Sequence, residues 1–482
     1  MNYKMVFNTL GKALLIEAIL LLFPMFVGVL YQENTFISYL LPILGLILVG
    51  APLSFLRVKD KSIYAKEGFV IVAMAWIALS LVGALPFVIS GQIPNYVDAL
   101  FETVSGFTTT GASILSDVEA LSKSILFWRS FTHWIGGMGV LVFVLAVLPA
   151  DCSGAMHVFR AESPGPTVGK LVSKLSYTAR ILYTIYFVMT FLETVLLLFG
   201  GLSFYDALLH AFSTAGTGGF GLYNDSVAHY DSVYVEMVIA TFMLLFGVNF
   251  NVYYLILIKQ VGKAIKSEEL FYYLSMVVVA TLLIAFNILS QVASFGQALR
   301  YSFFQVTSIS STTGFYTADF DKWPTFSKAI ILLLMVVGAS AGSTGGGMKV
   351  TRIALLIKSS FKQLKRLVNP RSVVSISFEK EPVPTEVERN VRTYFVLWAL
   401  VAVSCFLLLT LDPNVNDLMS NLSATLACIG NIGPGLNLLG PTCNFGIYTP
   451  FSKILLSFVM LVGRLEIFPM LILFVPRTWK RG

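Results

Sequence analysis

Long apolar runs alternate with short polar connections from one end of the chain to the other, and this pattern sets the first expectation. A hydrocarbon core about 30 Å thick takes roughly 20 apolar residues per helical crossing. Windows of that kind recur often enough to predict about ten membrane-spanning helices. The first two windows, 9–31 and 37–57, follow one another directly. Lys4 and Lys12 precede most of the first, but it is long and no small-residue cleavage site lies ahead of the second, so it reads as a retained anchor.

Beyond residue 62 the pattern changes to a unit that repeats four times: a span, a short amphipathic segment, a polar Thr/Gly cluster, and another span. The short segments are Val97–Phe107, Phe204–Thr214, Gln297–Ile309 and Asn416–Cys428. Each is too short to cross a bilayer and lacks a basic flank, which predicts re-entrant helices. The clusters that follow align on a glycine: Thr109-Thr110-Gly111, Thr217-Gly218-Gly219, Thr312-Thr313-Gly314 and Asn431-Ile432-Gly433. Non-helical backbone at membrane depth is tolerated only where protein or water satisfies its polar groups, so four such turns are expected to converge on one wet axis. A short helix ending there points its free carbonyls and negative dipole end at that axis, a field suited to a cation, and glycine allows the backbone to turn its carbonyls inward. Close helix packing also enriches Thr and Gly and would explain any one cluster. Four at equivalent places favour an ion filter. The expected fold is an all-α polytopic membrane protein, with four span–pore helix–span repeats in pseudo-fourfold arrangement around one central pore and two extra N-terminal helices. The expected segments are 1–62 (extra helices), 63–155, 156–262 and 263–358 (pore units one to three), 359–390 (basic linker) and 391–482 (fourth unit).

Composition agrees: the 482 residues are 56% hydrophobic and 12% charged, about half the charge of an ordinary soluble domain. The formal net charge of +7 is placed in every second connection, at 57–66, 160–180, 259–266, 349–392 and 477–481, which marks cytoplasmic loops and puts both termini in the cytoplasm rather than pointing to nucleic acid. The alternate connections carry Glu33, Asp98, Glu102, Asp117, Glu119, Asp206, Asp225, Asp231, Asp319, Asp321, Asp412 and Asp417, which predicts an acidic outer face that concentrates cations. Asp98 and Asp206, at the start of their short helices, read first as N-terminal caps. Cys152, Cys405, Cys428 and Cys443 lack zinc or redox spacing, and His133, His157, His210 and His229 are isolated, so no metal site is expected from them.

The span after the third cluster is interrupted by Gly338-Ala339-Ser340-Ala341-Gly342-Ser343-Thr344-Gly345-Gly346-Gly347. Each glycine lowers helix propensity by about 1 kcal/mol, so a hinge or loop is expected. It is not a phosphate-binding loop, because Met348 separates the last glycine from Lys349 and no strand precedes it. Lys349 is expected at the cytoplasmic mouth, as a topological charge or as part of a gate. Arg464 falls in the last span, where a lone guanidinium costs about 2.5–3.5 kcal/mol. It is expected to face the interior, either tying carbonyl ends of neighbouring helices or acting as a positive barrier below the filter. The linker from Lys349 to Arg392 has helical periodicity and suits anionic lipid or a soluble regulator.

Taken together, the four clusters, the two leading spans, the chain length and Arg160-Ala161-Glu162-Ser163-Pro164-Gly165-Pro166 resemble the TrkH/KtrB/HKT superfamily of potassium transporters, and the bacterial TrkH branch most. The resemblance implies potassium as the transported ion, with Gly111, Gly219, Gly314 and Gly433 as filter glycines and the residues before them supplying carbonyls. Plant relatives with serine at the first position are associated with sodium preference, and here Gly111 is present. It further implies that 338–347 is a gate loop and Arg464 a pore barrier. It also implies a homodimer in the bacterial inner membrane and a cytosolic TrkA-type subunit that binds the regulatory nucleotide, with no covalent cofactor. Voltage-driven uptake is the leading expectation. A proton- or sodium-coupled symporter is the alternative, with Glu193 and Glu466 as the candidate intramembrane acids. An embedded enzyme lacks any HEXXH, GXSXG or CXXC constellation.

Overall fold

The computed structural model describes residues 1–58, 65–139, 175–371 and 375–479. Cys152, His157 and the 160–166 motif lie outside them, as does part of the basic linker (372–374).

The chain begins with α1 (Tyr3–Leu20), α2 (Leu22–Leu30) and α3 (Phe36–Ser54). The backbones of α1 and α3 meet at glycines: a Cβ on Gly50 would stand 3.1 Å from the Gly11 carbonyl oxygen, and one on Gly11 would stand 2.6 Å from the Ser54 nitrogen. This is the close approach that small residues permit between membrane helices. The turn after α2 docks on the first unit through Glu33, whose carboxylate accepts the Lys123 (2.6 Å) and Ser124 (3.0 Å) amides.

The first unit comprises α4 (Ala65–Gly83), α5 (Leu85–Ile89), the short α6 (Tyr96–Phe107) and α7 (Lys123–Gly137). The second has α8 (Leu175–Phe199), the short α9 (Phe204–Ala215), α10 (Val233–Phe246) and α11 (Phe250–Leu257), followed by α12 (Val261–Ile265). The third has α13 (Glu268–Ile288), the short α14 (Phe295–Ser310) and α15 (Thr325–Val337). Next come α16 (Val350–Val368) and a small hairpin of β1 (Ser377–Phe378) and β2 (Glu381–Pro382). The fourth unit is α17 (Thr385–Leu409), the short α18 (Leu418–Gly430), α19 (Pro450–Arg464) and α20 (Ile467–Leu471). The two leading spans and two crossings per unit make up the ten or so that the hydropathy pattern predicts.

Among the described residues, six helical stretches are long and apolar enough to cross a membrane, and α10 with α11 forms a further pair bent by 89°. The inner helices of units one, three and four stop at Gly137, Val337 and Arg464. Among the described residues, the inner spans of units two, three and four each break, and α7 of unit one ends at Gly137. The glycine-rich run anticipated only one of these breaks. The others rest on a few residues: Gly247 and the Asn249 cap in unit two, and Glu466 at φ 59° in unit four.

Candidate ion pathway

All four short helices start alike. Asn95, Ser203, Ser294 and Asp417 are the N-caps, each side chain accepting an amide from the first turn. The caps assigned from sequence are thus corrected: Asp98 and Asp206 sit inside the first turn, where their charge favours the positive helix end. Asp98 also pairs with Lys453 at 2.6 Å.

The four helices also end alike. The amides of Thr110, Gly218, Thr313 and Ile432 reach back to the carbonyls of Ser105, Ser213, Ser308 and Ala427 at 2.8–2.9 Å, the closing bond of a Schellman turn. The residue before each is left-handed: Thr109 at φ 53°, Thr217 at 54°, Thr312 at 63° and Asn431 at 54°. Three of these are β-branched, which makes the conformation strained by about 1–3 kcal/mol each. Two residues on, Gly111, Gly219, Gly314 and Gly433 return to positive φ at 77°, 79°, 91° and 98°. Alternation of backbone sign turns successive carbonyls toward one side, and glycine supplies it without a steric penalty.

These turns close a ring. A Cβ on Gly111 would collide with the Gly218 carbonyl oxygen, one on Gly219 with that of Thr313, and one on Gly314 with that of Ile432; one on Gly433 would lie 2.8 Å from that of Thr110. Each quarter leans on the next in the same sense. The same added atom at Gly111 would stand 3.6 Å from the Thr313 oxygen of the opposite quarter, so a side chain there would project toward the axis. The four loops thus surround one centre and bring together all twelve residues of the aligned clusters.

On the helix side of the ring lies the segment 338–349, non-helical as expected. The Gly346 amide donates to Thr312 Oγ1 (2.6 Å), and a Cβ on Gly345 would lie 2.7 Å from the Ser311 carbonyl oxygen. The Ser340 amide donates to the Gly247 carbonyl, and the Phe250 amide to that of Gly342, both at 3.1 Å. The loop therefore fits into the break of unit two. Arg464 donates to the Thr344 carbonyl (2.7 Å) and to those of Gly136 (2.5 Å) and Gly137 (2.6 Å), joining the loop to the end of α7.

The family profile described as TrkH, cation transport protein, matches residues 40–481. The chain belongs to the TrkH family. The Trk system potassium uptake protein TrkH of Salmonella typhimurium is 34% identical over the full length of both chains, and that of Vibrio parahaemolyticus 35%. A crystal structure of the potassium transporter TrkH from Vibrio parahaemolyticus superposes with a TM-score of 0.88 at 33% identity, covering all of both chains.

Within this TrkH-family pore several residues support the ring that sequence reading passed over. His133, set aside as isolated, is fully buried; its Nδ1 bonds the Gly106 carbonyl (2.8 Å) and its Nε2 accepts the Phe220 amide (3.3 Å), so the ring spans the seam between loops one and two. Glu102 is not a surface acid. It is buried, pairs with Arg129 Nε (2.6 Å) and accepts the Ile114 amide (3.0 Å), while Arg129 holds the Gly221 carbonyl (2.9 Å) and covers the Phe220 ring. Asn431 bridges the fourth and first loops through Thr110 Oγ1 (2.9 Å). Other outer acids have structural partners too: Asp412 accepts Thr449 and Ser452 at the start of α19, and Asp117 and Glu119 tie to Asn224. Pairing of Glu102 with Arg129 and of Asp98 with Lys453 offsets part of the outer acidic field, whereas the acids bonded to neutral donors keep their charge. Lys349, expected at the cytoplasmic mouth, is buried and donates to the Gly345 carbonyl. Glu466 pairs with Arg352 on α16.

Proposed function

We propose that this chain takes up potassium across the bacterial inner membrane through the central ring. The carbonyls of Thr110, Gly218, Thr313 and Ile432 replace water around the ion, with the adjacent residues of each cluster (Thr109–Gly111, Thr217–Gly219, Thr312–Gly314 and Asn431–Gly433) completing the filter. One observation carries this reading: equivalent carbonyls from four quarters lie against equivalent glycines around one centre. Discrimination depends on the number and field of such oxygens, and a filter with one aligned positive-φ glycine per quarter selects potassium over sodium less sharply than a longer one.

The loop containing Gly338, Gly342, Ser343, Thr344, Gly345, Gly346 and Gly347 is the gate, with Lys349 bracing it from within. Arg464 is a positive barrier as well as a tie. Both termini face the cytoplasm, where a TrkA-type nucleotide-binding subunit acts on a homodimer. A potential of about 150 mV supplies roughly 3.5 kcal/mol per ion, enough for accumulation without a chemical step.

Rubidium flux into proteoliposomes tests this. Uptake should follow an imposed inside-negative potential, exceed sodium uptake, and vanish without voltage or gradient. Absence of selective flux at every voltage, with the regulator supplied, would overturn it. Proton coupling would need an intramembrane carrier. Glu466 is held by Arg352, whereas Glu193 on α8 is fully buried next to Thr214. Uptake against a potassium gradient driven by a pH gradient alone, at zero voltage, would favour that second reading.

A further inference from the structure

Between Val337 and Val350 no regular element fixes the chain, so beyond a few bonds of its own its position is set by partners outside it. Most are backbone groups, a hydroxyl or Arg464. One is a carboxylate. Glu269, at the start of α13 and 5% exposed, accepts the Ala341 amide at Oε1 (2.6 Å) and the Thr351 hydroxyl at the same oxygen, while Oε2 accepts the Asn249 amide (2.9 Å). A single side chain thus joins α13, the loop, the first turn of α16 and the break between α10 and α11. Both carboxyl oxygens are taken up by donors from three other segments, and Ala341 has no polar side chain of its own to offer.

The attachment continues outward. The Ser267 hydroxyl (2.7 Å) and the Glu269 amide (3.1 Å) both donate to Glu379 in the turn between β1 and β2, and Glu268 pairs with Lys358 on α16 at 2.6 Å. The base of α13 therefore connects the small hairpin and α16 to the loop under the ring.

We propose that Glu269 is the latch that holds the loop across the pathway. It is a positioning residue, acting through Ala341 and Asn249 without touching an ion. This rests on the gating role given above to residues 338–347. Glu269→Gln keeps the shape and leaves one oxygen for Ala341 and Thr351, but sets an NH2 against the Asn249 NH2. Asn249 cannot simply turn over, because its Oδ1 already caps α11 through the Asn251 amide (2.9 Å). Asn249→Asp alone sets two carboxylates face to face. Asn249→Asp with Glu269→Gln reverses the pair and restores one donor and one acceptor.

The experiment is rubidium flux through the full-length protein in proteoliposomes without regulator. Each single variant should raise flux about tenfold, and the double variant should return to within about twofold of the parent, the non-additivity expected of directly coupled residues. Flux at or below the parental level in either single variant overturns the latch, as does a double variant as leaky as the singles. Deleting Gly345–Gly347 separates the two claims: if the deletion raises flux and Glu269→Gln does not, the gate stands and the latch falls; if the deletion does not raise flux, both fall.

Discussion

In the ring the four quarters are nearly interchangeable in form, with a side-chain N-cap, a reach-back bond, a left-handed residue and a glycine at the same place in each. In the layer beneath, the inner helices end in four different ways: a stop at Gly137, an 89° bend, the glycine-rich loop, and the Arg464–Glu466 break. Under the proposed function the two layers meet different physical demands. Replacing the water around an ion requires oxygens on every side at matched distance, so all quarters are constrained together. Obstructing a path takes one segment, so the other three inner helices are free to become its supports.

The strongest way to break this comparison is at the glycines. Gly219→Ala and Gly314→Ala each force a Cβ into a neighbouring carbonyl, and each should lower potassium or rubidium flux about a thousandfold, since a close-packed ring has no space to yield. If one quarter tolerates the methyl and the other does not, the ring is not functionally symmetric. The next effect is on what stands behind the ring, where unlike residues serve like seams. Arg129→Met leaves Glu102 buried without its partner and should cost about 3 kcal/mol or more, read by thermal unfolding in detergent; adding Glu102→Gln should recover part of the loss. The smallest concerns the caps. Asp417→Ala should cost about 1 kcal/mol and Asp417→Asn little. Hydrogen bonds from Ser420 and Asn437 hold the Asp417 carboxyl below its ordinary range. Its contribution is therefore present above the unfolded-state pKa and lost as pH falls through the lower folded value. Melting curves across acid pH should show the parent losing more stability than Asp417→Asn.

The same two layers differ in how far the sequence revealed them. The short helices and the glycine quartet were legible because a repeated pattern carries more information than any one copy, and the structure moves the helix ends by only a residue or two. The inner breaks were mostly hidden. A long run of glycine announces itself, whereas one left-handed Glu466 or a single Asn249 cap inside an apolar run does not. Arg129 could have been found: it is a charge within the apolar helix Lys123–Gly137, and the reasoning that singled out Arg464 applies to it equally. Glu102 was misplaced because a loop's net charge says nothing about which acids turn inward to meet amides. His133 shows the same limit, since its partners lie in another helix and another loop.

The head-to-tail contact of the quarters has a consequence for how such a pore can vary. In a channel assembled from identical copies, any substitution alters every side of the ion's cage at once. In the proposed filter the cage is written into one polypeptide, so Asn431 and Ile432 can stand where other quarters have threonine or glycine, and a single mutation can adjust one oxygen while its three counterparts keep their places.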